Sequence, residues 1–158
     1  MRGSGPEAFF DDQLAAMVAA RDDGLIGAVG LSNITLPHLL HTLKLTDIAC
    51  GQNAHHPTDR RSQTVLEECT RRGIAFVPYS PLGSGARGAG SALDAAAVRR
   101  VAAQLGFSPA QIALAWALNA APNVLLIPGT ASRAHLRENL AAATVYLDAR
   151  AINGLSSA

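Results

Sequence analysis

Four short segments carry the side chains best suited to hold or react with a ligand. They are Ser32-Asn33, Gln52-Asn53, Tyr79-Ser80-Pro81-Leu82-Gly83-Ser84, and Pro128-Gly129-Thr130 with Ser132, His135, Glu138 and Asn139 behind it. Each follows an apolar run. The third closes the stretch Ile74 to Gly85, IAFVPYSPLGSG, where four apolar residues lead into Pro78, an aromatic and a loop of small residues. An apolar run bounded by Gly73 and by Pro/Gly reads as a buried strand, and small residues beyond it let backbone N–H groups approach an anion. His55 and His56 follow the second segment and could work as acid and base. Neighbours on an extended segment point to opposite sides, so a two-His metal site is not expected there. Cys50 and Cys69 lack the spacing of a metal site or disulfide framework and read as small core residues.

The elements that must position these groups alternate strictly. Residues 1–5 read as a loose terminus and residues 6–158 as one domain. A helix from Pro6 carries Phe10, Leu14, Met17 and Val18 at helical spacing and stops at Gly24. Leu25 to Leu31 reads as a strand, apolar on both faces as a buried parallel strand is. Thr35 caps a helix with Leu36, Leu39, Leu40 and Leu43 on one side. Asp47 to Gln52 reads as the second strand, followed by a polar loop and a helix around Ser62 to Arg72, with Val65, Leu66 and Cys69 inward and Gly73 as its stop. Ile74 to Ser80 is the third strand, and Pro81 to Ser91 a loop of the kind that orders on a ligand. Leu93 to Leu105 is helical. Ser108-Pro109-Ala110-Gln111 is a capping box that launches a further helix, with Trp116 as a core anchor. Val124 to Ile127 is the fourth strand, and a helix follows from Ser132 to Ala143. The tail from Thr144 shows little pattern. Strand–helix alternation of this kind implies parallel strands joined by right-handed crossovers.

Bulk properties exclude several classes. The 158 residues are 49% hydrophobic and 16% charged, with a formal net charge of +1. That composition is globular rather than disordered and gives no reason to expect nucleic acid or an anionic membrane as partner. The arginine pairs at 60–61, 71–72 and 99–100 are scattered and read as solvated. No signal-peptide core or membrane-length run is visible, and the expected setting is cytoplasmic.

Taken together, Gly30-Leu31-Ser32-Asn33, Gln52-Asn53, Pro78-Tyr79-Ser80-Pro81-Leu82-Gly83 and Ile127-Pro128-Gly129-Thr130 with Glu138-Asn139-Leu140 resemble the aldo-keto reductases in order and spacing. The resemblance spans nearly the whole chain but only the C-terminal half of that family. It implies an α/β fold, half of a (β/α)8 TIM barrel: strands five to eight, parallel and alternating with helices. The family's catalytic Asp, Tyr, Lys and His belong to the other half, so no residue here inherits those roles. The cofactor side does carry over, with NADP expected and NAD possible. The resemblance puts Ser32, Asn33 and Gln52 on the nicotinamide carboxamide, whose donors and acceptors such side chains match. It stacks Tyr79 on the nicotinamide and lays Ser80, Leu82, Gly83 and Ser84 along the pyrophosphate. It sets Thr130, Ser132, His135, Glu138 and Asn139 around the adenosine, at a helix N-terminus that favours phosphate. The family commonly has Arg where His135 stands, which leaves the choice between NADP and NAD open; Arg133 is a possible substitute. Each segment also has a plain structural reading: Ser32-Asn33 as a strand end, Tyr79 as a core aromatic, Pro81-Leu82-Gly83 as a turn.

Half a barrel leaves two strand edges and an inner face uncovered. A homodimer that restores eight strands is the expected remedy; a separate chain supplying the first half, or rearranged helices covering the sheet, are the alternatives. The expected activity is NAD(P)H-dependent oxidoreduction of a carbonyl or alcohol on a small metabolite. His55 is the first candidate proton donor and Tyr79 the second; His55 and His56 could equally face solvent or cap a helix. Two alternatives stand beside this. One is a non-redox cyclase or isomerase using the cofactor groove as substrate pocket. The other is a catalytically inactive NADP-binding or scaffold protein.

Overall fold

The structure is a computed structural model that describes residues 6–83 and 91–156; Ser84 and the rest of the glycine-rich segment to Gly90 lie outside the described residues. Helix α1 (Pro6–Asp22) ends in a turn at Gly24, φ +74°, with Gly24 N donating to Arg21 O and Leu25 N to Ala20 O. These two bonds satisfy the last helix carbonyls. They also draw Leu25 into the helix stop, so the expected strand from Leu25 shrinks to β1 (Gly30–Ser32), and Leu25 is 76% exposed. Helix α2 (Leu36–Thr42) starts from Thr35, whose side chain accepts from His38 N. Next come β2 (Cys50–Gln52), α3 (Gln63–Arg72, ended by Gly73 in the left-handed conformation) and β3 (Ala75–Phe76). A 3-10 turn (Ala92–Asp94) precedes α4 (Ala96–Leu105) and α5 (Pro109–Ala120). The Ser108 capping box, with proline in the first turn, is formed as expected. Helix α6 (Arg133–Ala141) and α7 (Ala149–Ser156) complete the chain.

The sheet is parallel, in the order β1-β2-β3. The expected fourth strand is reduced to one parallel bridge, Val124 beside Phe76, flanked by Phe76 N donating to Asn123 O and Leu125 N to Phe76 O. Cross-strand register sorts the sheet residues by face. Leu31, Gly51, Phe76 and Val124 are laterally aligned and all buried. Leu31, Phe76 and Val124 join Leu14 of α1, Leu39 of α2 and Val65, Leu66 and Cys69 of α3 in one apolar core. Their neighbours Gly30, Ser32, Cys50, Gln52, Ala75 and Leu125 face the other way, and none is buried. A Cβ on Gly51 would meet Cys69 Sγ at 3.2 Å on the helix side, whereas one on Gly30 would meet Cys50 Sγ at 2.8 Å on the opposite side. Cys69 is therefore a core residue, but Cys50, expected in the core, sits half-buried on the open face.

A second core joins α4, α5 and α7 through Val98, Val101, Ile112, Trp116, Leu147 and Leu155. Helix α7 corrects the reading of a patternless tail. Asp148 Oδ1 accepts from Ala151 N at 2.7 Å, and Ile152 and Leu155 face inward one turn apart. The Trp116 indole N–H reaches Ser156 Oγ at 3.1 Å and ties α5 to α7. Among the described residues no single helix is long and apolar enough to cross a membrane.

Candidate functional site

Because the strands are parallel, the segments after them emerge at one end of the sheet. After β1 the backbone turns sharply: Asn33 takes φ +55°, a left-handed conformation that asparagine tolerates better than most residues. That turn lets Asn33 N donate to Gln52 O at 3.0 Å. It also presents Asn33 Oδ1 to Tyr79, whose hydroxyl donates to it at 2.5 Å. Two residues 46 positions apart in sequence thus meet at the strand ends. The bond orients the Tyr79 ring and leaves the Asn33 amide N–H groups as donors.

Asn53, part of the second strand-end segment but given no cofactor contact by the resemblance, holds this end together. It is buried; its Oδ1 accepts from Ile34 N at 3.0 Å, and its Nδ2 donates to Ile34 O at 2.6 Å and to Ser62 Oγ at 3.2 Å. One side chain fastens the β1–α2 turn to the residue preceding α3. Its position beside Gln52 was visible in the sequence; its partners were not. Asn33, Asn53 and Tyr79, with Asp59 and Arg61, border a depression of about 620 Å³ between α2 and α3. Arg61 donates to both oxygens of Asp59, at 2.9 and 2.6 Å. This pairing holds the Asp59 carboxyl down at about 2. Ser32 is exposed and Gln52 half-buried at the same strand ends, and neither borders the depression.

The chain then crosses to a second cleft. Ser80 (φ +50°) and Gly83 (φ +69°) bracket a tight turn in which Gly83 N donates to Ser80 O at 2.8 Å. The Gly83 amide is therefore committed to the turn. Ala92 N donates to Leu82 O at 3.1 Å and closes the base of the loop. Leu82 then lines a cleft of about 540 Å³ with Thr130, His135, Glu138 and Asn139. Five of the expected cofactor residues share one cavity. Ser132 caps α6, its Oγ accepting from His135 N at 3.3 Å, while Thr130 Oγ1 accepts from Ser132 N at 3.1 Å.

The far wall of this cleft was not anticipated. It comes from Leu93, Asp94 and Arg99 and from the start of α5 at Ser108, Pro109 and Ala110. Arg99 pairs with Asp94 and donates to Leu93 O at 3.2 Å. In the sequence Arg99-Arg100 reads as a solvated pair, and the Ser108 box signals only a helix start. Their placement follows from α5 folding back between α4 and α6.

His55 and His56 require correction. Neither faces solvent: His55 is fully buried and His56 is 2% exposed. The His55 ring stacks on Trp116 at 5.3 Å and meets Phe76 edge-on at 5.8 Å. Neither of its ring nitrogens has a hydrogen-bond partner among the described residues. Burial pushes its pKa down to about 4; His56 and Arg60 add to the shift, and Asp59 opposes it. The ring lines neither cleft, so the structure does not bring this candidate donor to Tyr79. His56 Nδ1 lies 3.1 Å from Thr58 Oγ1, and its backbone pairs with Asp59 in both directions. The β2–α3 loop folds inward because Pro57 and both imidazoles are buried together.

A comparison with known proteins supplies the family. The sequence pattern described as the Aldo/keto reductase family matches residues 5–158. The chain belongs to the aldo/keto reductase family. It is 38% identical over 154 residues to pyridoxine 4-dehydrogenase of Escherichia coli K12, covering 97% of this chain and 52% of that protein. It is 32% identical over 125 residues to methylglyoxal reductase DkgA of Yersinia pestis, covering 78% and 43%. Among solved structures, a thermostable aldo-keto reductase, Tm1743, aligns with a TM-score of 0.81 at 30% identity, over 97% of this chain and 56% of that one. Aldose reductase from Giardia lamblia aligns with a TM-score of 0.83 at 25% identity, over 99% and 52%. The fold is thus the α/β TIM-barrel fold of the aldo/keto reductases, and the chain spans about half the length of these relatives.

Proposed function

We propose that this chain carries the NAD(P)H-binding part of an aldo/keto reductase site and takes part in oxidoreduction of a carbonyl or alcohol on a small metabolite. The observation that carries the reading is the shared cavity. Residues separated by nearly fifty positions in sequence, Leu82 and Thr130 to Asn139, line one cleft, and the Tyr79 turn connects it to Asn33 at the strand ends.

The donor set fits such a cofactor. At one end stand the Gln52 amide, which has no hydrogen-bond partner among the described residues, and the Asn33 amide, whose oxygen already takes the Tyr79 proton. Between them they offer the donors and the acceptor that a carboxamide needs. The Tyr79 ring, oriented by Asn33, supplies the flat surface. At the other end the Glu138 carboxylate and Asn139 amide can pair with an adenine edge, and the α6 N-terminus favours an anion. When bound, the nicotinamide would supply the hydride. The residues named here bind and orient; of the two candidate proton donors for the alkoxide, His55 is sealed against Trp116 and the Tyr79 hydroxyl, bonded to Asn33 Oδ1, remains.

The relatives named a dehydrogenase and a reductase support the redox class without fixing the substrate. The test is a titration of the purified chain with NADPH and NADH, followed by cofactor fluorescence. Saturable binding is expected, weakened about tenfold, or about 1.4 kcal/mol, in Tyr79→Ala. No binding at millimolar cofactor would overturn the reading.

A further inference from the structure

We infer that Arg99 selects the cofactor: its guanidinium receives the 2′-phosphate of NADP(H), so the cleft takes the phosphorylated dinucleotide in preference to NAD(H). The inference rests on the NAD(P)H reading above and adds the residue that tells the two forms apart. The cleft between α6 and the start of α5 carries charged groups on both sides, with His135 and Glu138 on one wall and Asp94 and Arg99 on the other. Its lining residues fall between Leu82 and Asn139 of this chain, and none of them lies on the sheet. The adjacent arginines of α4 diverge. Ala97, Val98, Val101 and Ala102 are buried and anchor the helix. Arg100 lies against α7, where a Cβ on Gly154 would stand 3.8 Å from its Nη2, whereas Arg99 borders the cleft.

Arg99 is held in place by the turn before its helix. Ser91 Oγ accepts from Leu93 N at 3.2 Å, and Asp94 N donates to Ser91 O at 3.1 Å, which fixes the 3-10 turn. That turn offers Leu93 O to Arg99 Nε at 3.2 Å and the Asp94 carboxylate to Nη2. Nη1 has no partner among the described residues. A guanidinium fork oriented in this way is suited to phosphate, and it keeps its charge at any working pH. The ion pair with Asp94 is more than half exposed on both sides, so it is weak. A phosphate monoester carries more negative charge than a carboxylate and can draw Nη2 away from Asp94 as well.

The opposite wall offers less to a phosphate. Thr130 Oγ1 accepts from Ser132 N and Ser132 Oγ from His135 N, so two amides at the start of α6 are already bonded to side chains of their own segment. Arg133 and Arg137 of the same helix lie outside the cleft lining. Of the described residues that line the cleft, Arg99 is the one with a permanent positive charge. Glu138 and Asn139 suit the adenine edge, and the phosphate nearest the adenine in NADP(H) is the one on the ribose 2′-oxygen. Arg99 shares their cavity and supplies its counter-charge.

Fluorescence titration of the purified chain with NADPH and, separately, NADH tests this, in the native protein and in Arg99→Ala, Arg99→Lys and Asp94→Asn. The native chain should bind NADPH more tightly than NADH. Arg99→Ala should weaken NADPH about tenfold and leave NADH within about twofold, because a charge-assisted hydrogen bond to phosphate is lost and nothing else. Arg99→Lys keeps the charge without the fork and should recover part of the loss. Asp94→Asn removes the competing carboxylate and should tighten NADPH alone. An equal loss of both cofactors in Arg99→Ala would mark a structural role, and an unchanged NADPH affinity would mark the wrong residue. Either result, or a native preference for NADH, overturns this inference and leaves the NAD(P)H reading standing, whereas a native chain that binds neither cofactor overturns both. Should a melting curve show Arg99→Ala to be unfolded, the NADPH-to-NADH affinity ratio is read in Arg99→Lys and Asp94→Asn, and a ratio unchanged in both overturns the inference.

Discussion

The two faces of the sheet obey different rules although they alternate residue by residue. On the helix side the packing is dense: Phe76 is wholly buried, and a Cβ on Gly51 would press on Cys69 Sγ at 3.2 Å. On the other side, Ser32, Gln52 and Leu125 share one surface without forming an apolar cluster. The helix-side face is where folding energy is concentrated, and the open face, with the strand ends above it, is where ligand or partner chemistry is possible. His55 belongs to the first region although its residue type suggests the second.

The largest effect should come from Phe76→Ala. Removing a fully buried aromatic costs about 3–5 kcal/mol, read as a loss of unfolding free energy in urea; a cost under about 1 kcal/mol would break the contrast between the faces. Next comes pH. His55 is held neutral at about 4 against its ordinary 6.5. A depressed pKa means that its contribution is complete above 6.5 and is lost as pH falls toward 4, by about 3 kcal/mol. His56 is shifted in the same direction, whereas the Asp59 carboxyl, at about 2, titrates below that window. Melting temperature against pH should fall between 6.5 and 4 in the native chain and flatten in His55→Phe, which also removes an unpaired buried polar ring. An unchanged slope would show that His55 is not sealed in the core.

Gly51→Val should cost about 1–3 kcal/mol by overpacking against Cys69, measured by the same denaturation. The smallest effect compares the two cysteines. Cys69→Ser puts a hydroxyl into the core and should cost about 1–2 kcal/mol, whereas Cys50→Ser on the open face should cost about half that or less. Equal costs would show that the open face is as tightly packed as the other. Burial pushes the Cys69 thiol up to about 11.

Much of this was legible locally. The Thr35 and Ser108 caps, the stops at Gly24 and Gly73 and the inward set Val65, Leu66 and Cys69 follow from short-range rules of backbone geometry and periodicity. Helix α7 was also legible, through Asp148 as cap and Ile152 and Leu155 one turn apart, yet its short length hid it. The strand-end residues were recognisable because chemistry at the ends of parallel strands uses a narrow choice of side chains. What was not legible involved partners distant in sequence. Asn53 clasping Ile34 and Ser62, Arg99 facing His135 across a cleft, and Trp116 covering His55 each depend on where another element lies.

The sequence by itself determined the order of elements, their caps and the family, because each is written in residues a few positions apart or in motifs of fixed type. Only the tertiary structure decided that His55 is a core residue, that Cys50 is not and that the fourth strand is a single bridge. Burial is a property of the whole packed arrangement. An imidazole or a thiol has the same formula on either face, and only the element packed against it decides whether it is kept from water.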